Sequence, residues 1–415
     1  MSKNVIIIGG GIIGLCSAYY LQKEGHKITI IDQSNLDSGA SYVNAGYLSP
    51  SHIIPLSAPG VMKKGLKWMF NPSSPLYIKP RLDMDLLKWA WAFNKSCNTA
   101  HVQKSAPVIR DITLLSQQLY EDIKTSESFT AQYDKKGLLM LCQTQKLLDE
   151  ELKIAEMAKN LGLDAREVSP EDIKTLEPNI EINAIGAAYF KCDHHSTPHE
   201  FMTEMKDYLK AVGVTFFINE KVEDITVKNR LITALITQKQ TLNADEIVLA
   251  AGSWSTILSK KIGLKLLMQA GKGYRINTEQ KTGITIPAIL SEAKAAVTPM
   301  NGFTRFAGTM EIAGINHTVN KIRVEAIAKA ANRYYPSIQL TKNEKDNAAC
   351  GLRPVSPDGL PYIGKSVKCK NLTIAAGHAM MGWSMGTATG LLISEIISNK
   401  KPSLKLGPFN PDRKF

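Results

Sequence analysis

Hydrophobic residues in this chain come in short runs separated by polar stretches, and the period of each run predicts an element. Val5 to Ile8 is apolar, β-branched and bounded by glycine, which predicts a buried parallel strand. A helix follows over roughly Ile13 to Lys23, then a second buried strand over Ile28 to Ile31. Spacings of three and four predict helices over Leu86 to Phe93, Ile109 to Ile123 and Leu147 to Leu161, with a strand at Gly137 to Cys142 between the last two. Ser169 to Asp172 reads SPED, a helix-start signal. Gly186 to Phe201 runs from strand through polar turn into a helix with Pro198 early in it. A buried strand at Val214 to Ile218 leads into alternating segments at Val222 to Val227, Leu231 to Thr237 and Thr241 to Asn243, which predict an antiparallel meander. Ile247 to Ala250 is another strand, closed by the small turn Ala251-Gly252. Alternation returns over Gly263 to Arg333, with a helix near Ile322 to Tyr335. Near the end come a Pro/Gly-punctuated loop over Cys350 to Gly364, a strand over Leu372 to Ala376, a turn over Gly377 to Gly382 and a helix from about Trp383 to Ile397.

The first strand-turn-helix carries chemistry. Gly9, Gly11 and Gly14 fill a G-x-G-x-x-G frame, in which the glycines serve the tight turn, the approach of a pyrophosphate and the packing of helix on strand. The helix start offers free N–H groups and a positive dipole end to phosphate. Asp32 closes the second strand, where an acid accepts from a ribose. A dinucleotide is implied, and the motif alone does not separate NAD from FAD.

Composition narrows the class. The 415 residues allow two domains, and 44% hydrophobic with 21% charged is ordinary for a globular protein. The net charge of +12 suits an acidic ligand or an anionic membrane, but no basic run is interleaved with stacking aromatics, which argues against nucleic acid. The six cysteines show neither C-x-x-C nor metal-like spacing, so a reducing, cytoplasmic compartment is expected. No uninterrupted apolar stretch is long enough for a transmembrane helix.

Ser38 to Ser51 is a small-residue loop suited to lying along a ligand. His52 to Phe70, which mixes apolar residues with Lys63, Lys64 and Lys67, reads as a lid packed on the core, with peripheral membrane contact through Met62 to Phe70 as the other reading. His194 and His195 tempt a metal reading, yet adjacent histidines point apart and no partner ligands flank them, so no metal is expected. Arg353 suits bidentate recognition of a carboxylate. The last helix has no acid before Glu395, which leaves its start free for an external anion.

Together the segments IIIGGGIIG, SYVNAGYLSP, APGVMKKGLKWMF, ADEIVLAAGSWS, GLRPVSPDG and AAGHAMMGWSMG make the chain similar, over essentially its whole length, to the FAD-dependent D-amino-acid oxidase/dehydrogenase superfamily, and within it to the bacterial D-amino-acid dehydrogenases. The resemblance implies an α/β fold in which a Rossmann-like FAD-binding domain (1–85, 186–262 and 345–415) is interleaved with an α+β substrate domain built on an antiparallel sheet (86–185 and 263–344). It implies FAD, held without a covalent bond, as cofactor. Cys350 stands one residue from the position at which the related sarcosine oxidases tether flavin.

Carried over by residue, the resemblance gives Gly9, Gly11, Ile12, Ile13 and Gly14 to the pyrophosphate, and Asp32 and Gln33 to the adenosine side. Ser41, Asn44, Ala45, Gly46 and Leu48 run along the flavin, Val222 lies by the adenine, and Ala251 and Gly252 form a second dinucleotide turn. Ala379, Met380, Met381, Gly382, Trp383 and Ser384 surround the isoalloxazine. Arg353 pairs with the substrate carboxylate, the Met380 carbonyl accepts from the amine, and no side-chain acid or base is obligatory. Lys272, Tyr274 and Arg305 are weaker candidates for the pocket wall, and His52 is a departure that reads equally as shaping the substrate pocket or as a satisfied surface histidine; His378 is read as structural. The expected reaction is oxidation of a D-amino acid, or a cyclic imino acid such as hydroxy-D-proline, with electrons passed to a quinone or other acceptor. An oxygen-using glycine or D-amino-acid oxidase and a non-catalytic flavoprotein are the alternatives.

Overall fold

A computed structural model describes residues 1–62 and 74–415. The stretch Lys63 to Phe70, the basic end of the segment read as lid or membrane contact, lies outside the described residues.

Among the described residues, one six-stranded sheet runs in the order Thr215–Phe217, Lys27–Ile31, Asn4–Ile8, Glu246–Leu249, Leu372–Ala376, Tyr362–Lys365. All neighbours are parallel except the last pair. The branched runs predicted from sequence fill its centre, because strands covered on both faces are apolar throughout. Thr215–Phe217 is an exception. It was expected to be buried, but it is the edge strand, with Thr215 exposed and both phenylalanines half-buried.

Helix Ile12–Lys23 crosses helix Gly386–Ile397 at close range. A Cβ on Gly390 would stand 2.5 Å from the backbone carbonyl of Cys16, so glycine is what permits the crossing. The meander is a separate three-stranded antiparallel sheet, Val222–Lys228, Leu231–Thr237 and Thr241–Leu242.

The second large sheet runs Ala349–Val355, Gln269–Thr278, Phe303–Ile312, Ala295–Met300, Ala288–Leu290, Leu138–Cys142, Gly186–Phe190, Ala165–Val168, with Leu76–Ile78 paired to Phe303–Ile312. Its pairings are antiparallel apart from those of Leu76–Ile78 and of Ala288–Leu290 with Leu138–Cys142. Gly186–Phe190 and Ala349–Val355, read from the sequence with the nucleotide segments, are strands of this sheet.

Two local expectations need correction. Arg353 does not sit on a loop: Ala349–Val355 is a regular strand paired with Gln269–Thr278, from Gln269 opposite Val355 to Arg275 opposite Ala349. Pro354 obscures it in sequence, but the strand is at the sheet edge, where a missing N–H is tolerated. The last helix begins at Gly386 rather than Trp383, and the residues before it form a turn held from outside the helix.

Candidate active site

The two large sheets enclose a cavity of about 1170 Å³, more than the roughly 300–1,000 Å³ typical of sites for drug-sized ligands. It has room for a dinucleotide and a small second molecule.

At one end, Gly9, Gly11, Ile12 and Ile13 line the wall, and helix Ile12–Lys23 starts there with no side-chain cap and no acid in its first turn. A helix start whose N-cap residue, Gly11, has no side chain to close it and which faces a cavity is a ready anion site, so these residues fit a pyrophosphate. Gly14 lies off the cavity: a Cβ there would be 1.9 Å from the Gly9 carbonyl, which is the packing requirement expected of it. Asp32 lines the cavity and accepts from Gly10 N at 2.7 Å and from Ser34 N and Oγ at 2.8 and 2.7 Å. Gln33, Val222, Ala251 and Gly252 line the same end.

The small-residue loop then runs along the cavity with Ser41, Asn44 and Ala45 on the wall. Ser41 Oγ accepts from Ile12 N at 3.0 Å, tying loop to helix start. Gly46 and Leu48 are not on the wall. Gly46, at φ +77, lies so near strand His194–Ser196 that a Cβ would be 2.1 Å from the Ser196 carbonyl, and Leu48 is fully buried. They fasten the loop.

Ala379, Met380, Met381, Gly382, Trp383 and Ser384 all line the far end. This turn is tied down from several sides: Ala379 N donates to Pro354 O at 2.9 Å, Trp383 Nε1 to Ser196 Oγ at 2.9 Å, Ser384 Oγ to Tyr47 O at 2.7 Å, and Tyr120 Oη to the Trp383 carbonyl at 2.9 Å. The first bond joins the turn directly to the strand of Arg353.

Arg353 lines the cavity, and its Nη1 donates to Thr309 O at 2.9 Å. Thr309 is the extra residue of a bulge in Phe303–Ile312, at φ +59, a conformation that costs energy and turns this carbonyl toward the arginine. Burial, with Arg323 adding, lowers the Arg353 guanidinium to about 10, still cationic at neutral pH.

The weaker candidates divide. His52 lines the cavity; burial, helped by Lys294, pushes its imidazole down to about 4, so the ring is neutral. Tyr274 reaches the wall, but its hydroxyl donates to Glu311 at 2.7 Å. Lys272 is not brought to the cavity. It sits on the opposite face of its strand from Gly273, buried, donating to Asn316 Oδ1 at 2.6 Å and Thr318 O at 2.8 Å, with Glu311 at 3.5 Å. Arg305 is not on the wall either: it donates to the Tyr42 and Asn44 carbonyls at 2.9 and 2.6 Å, clamping the small-residue loop from behind.

Sequence reasoning missed Gly273, Arg275, Lys294 and Thr309, all on the cavity wall. Gly273 and Arg275 were legible as alternate positions of GKGYRIN; Lys294 and the bulged Thr309 carried no signal. His194 packs against Tyr133, with its Nδ1 2.8 Å from the hydroxyl, and no group of metal-ligating side chains occurs among the described residues. Cys350 lines the cavity as a thiol whose burial raises it, with Sγ 3.3 Å from the His317 carbonyl. His378 is buried beside Thr389 Oγ1, at 3.0 Å.

A D-amino acid dehydrogenase from Vibrio atlanticus is 30% identical over 412 residues, covering 97% of this chain and 97% of its own. One from Helicobacter pylori is 30% identical over 399 residues, 95% of each. The crystal structure of glycine oxidase from Geobacillus kaustophilus superposes with a TM-score of 0.79 at 21% identity, over 100% of this chain and 99% of that one, which shows the same fold. A profile described as FAD dependent oxidoreductase matches residues 4–396. The chain therefore belongs to the FAD dependent oxidoreductase family, and FAD is its cofactor.

Proposed function

We propose that this protein oxidises a D-amino acid, or a cyclic D-imino acid such as hydroxy-D-proline, to the imino acid, which water converts to a 2-oxo acid and ammonia when the amine is primary. The observation that carries the reading is Arg353: a half-buried guanidinium on the wall of an FAD-sized cavity, bonded to a carbonyl, with two of its nitrogens left for a ligand carboxylate. Relatives at 30% identity over nearly the whole chain carry the name D-amino acid dehydrogenase, which supports the substrate class.

When bound, FAD supplies the two-electron chemistry by accepting the hydride from the substrate Cα. The chain's part is to bind and orient. Gly9, Gly11, Ile12 and Ile13 hold the pyrophosphate, Asp32 the ribose, and Ala379 to Ser384 the ring end. Arg353 fixes the substrate carboxylate, and the Met380 carbonyl accepts from the neutral amine. Neutral His52 borders the substrate without adding charge.

The electrons leave to a quinone or other acceptor. No helix among the described residues is long and apolar enough to cross a membrane. Helix Met84–Ser96 exposes Met84, Leu87 and Trp91 beside Lys88 and Lys95, which supports peripheral contact with an anionic membrane.

The test is anaerobic bleaching of the flavin absorbance by D-amino acids, their L-enantiomers, glycine and hydroxyprolines. Bleaching by a D-amino or D-imino acid is expected; bleaching by none would contradict the reading. Peroxide formed in air at the turnover rate would favour the oxidase alternative.

A further inference from the structure

Arg275 follows Gly273 by two residues on strand Gln269–Thr278, so alternation sets it on the same face as the glycine over which Arg353 lies, with Cα atoms about 6.6 Å apart. The cross-strand partners of these two positions are Ala349 and Gly351, too small to cover either guanidinium. Arg275 lines the cavity, and its Nε is buried with no hydrogen-bond partner. Among the described residues, no carboxylate pairs with Arg275 or with Arg353.

The charges along the wall are segregated. The acids that line it, Asp32, Asp37, Glu220 and Glu223, all belong to the nucleotide end. The half bounded by the long sheet has Arg275, Lys294 and Arg353, and no acid among its described lining residues. Lys294 is answered by Glu151 at 3.2 Å. That leaves two guanidiniums where a monocarboxylate needs one. A half-buried cation whose Nε has no partner is costly, and burial lowers the Arg275 guanidinium, so a bound anion is the source of the missing charge.

We propose that Arg275 is a specificity-determining residue that binds a second carboxylate, so that the preferred substrate is a D-amino acid with an acidic side chain. This rests on the reading of Arg353 as the α-carboxylate anchor. Two forks on one face of two paired strands suit two carboxylates on one short carbon chain, one fixing the reacting end and the other the side chain.

The test uses the FAD-loaded protein and its Arg275→Gln and Arg275→Lys variants. Anaerobic flavin reduction is titrated with D-glutamate, D-aspartate and D-alanine, and the flavin-to-protein ratio is measured for each variant. The wild type is expected to reach half-reduction at lower D-glutamate or D-aspartate than D-alanine. Arg275→Gln should shift that ratio about tenfold or more against the acid, the size of a lost charged hydrogen bond, with Arg275→Lys recovering part. An unchanged ratio would overturn the proposal, and so would loss of FAD from Arg275→Gln at unchanged ratio, which would make Arg275 a phosphate ligand. If no amino acid bleaches the flavin, the proposed reaction fails, but glutarate and butyrate still decide the subsite through their perturbation of the flavin spectrum. Tighter binding of glutarate, lost in Arg275→Gln, supports it; equal binding overturns it.

Discussion

The guanidinium of Arg353 lies across Gly273, so close that a Cβ at residue 273 would stand 2.2 Å from its Nη1 and 2.3 Å from its Cζ and Nη2. Gly273 is thus the seat of the arginine. The clash is with the far end of a flexible side chain rather than with backbone, so a methyl group there moves the arginine and leaves the sheet in place.

Gly273→Ala should therefore keep its fold and its FAD while losing substrate affinity. The expected result is an unfolding free energy within about 1 kcal/mol of wild type and a half-saturating substrate concentration raised about tenfold or more. Denaturant titration and anaerobic flavin reduction check the two halves. A variant with unchanged substrate dependence would show that Arg353 does not need this seat.

Acid sensitivity follows from the buried histidines. Burial lowers His378 from 6.5 to about 3, and burial with Lys294 lowers His52 to about 4. Below pH 6.5 the unfolded chain takes up these protons and the folded chain does not, so stability is lost as pH falls toward the folded values. At pH 5.5 the loss from His378 is about 1.4 kcal/mol. His378→Gln should flatten the slope of unfolding free energy between pH 5 and 7. An equal slope in the variant would show that His378 takes up its proton in the fold as readily as in the unfolded chain.

FAD should leave the protein on denaturation. Cys350 is the thiol nearest a tethering role, and burial raises it away from the thiolate that nucleophilic attachment needs, while its Sγ faces the His317 carbonyl. After acid precipitation the yellow colour should remain in the supernatant; colour in the pellet would contradict this.

Much of the cavity end around Gly9 and Asp32 was legible because its requirements are local. Gly9, Gly14 and Asp32 answer to sterics and hydrogen bonds within one strand-helix-strand unit, and the chain writes them in one short segment. The substrate end is assembled from strands far apart in sequence. Arg353 was singled out by its residue type and by the family resemblance, but its strand was hidden by Pro354 at a sheet edge. Lys272 and Arg305 looked equivalent to Arg275 in sequence, and only the strand pairing shows that Lys272 faces Glu311, that Arg305 grips the Tyr42 and Asn44 carbonyls, and that Arg275 is left facing the cavity. Thr309 was not legible at all, since its role comes from a bulge opposite Lys272 and Tyr274.

The most direct test of the central claim, that Arg353 anchors the substrate carboxylate in the FAD cavity, is anaerobic titration of the flavin band in wild type and Arg353→Leu with the best D-amino acid. Wild type should bleach fully. The variant should hold the same flavin-to-protein ratio and need a substrate concentration higher by about a hundredfold, the scale of a lost charge-assisted fork. Bleaching of the variant at the wild-type concentration would contradict the account.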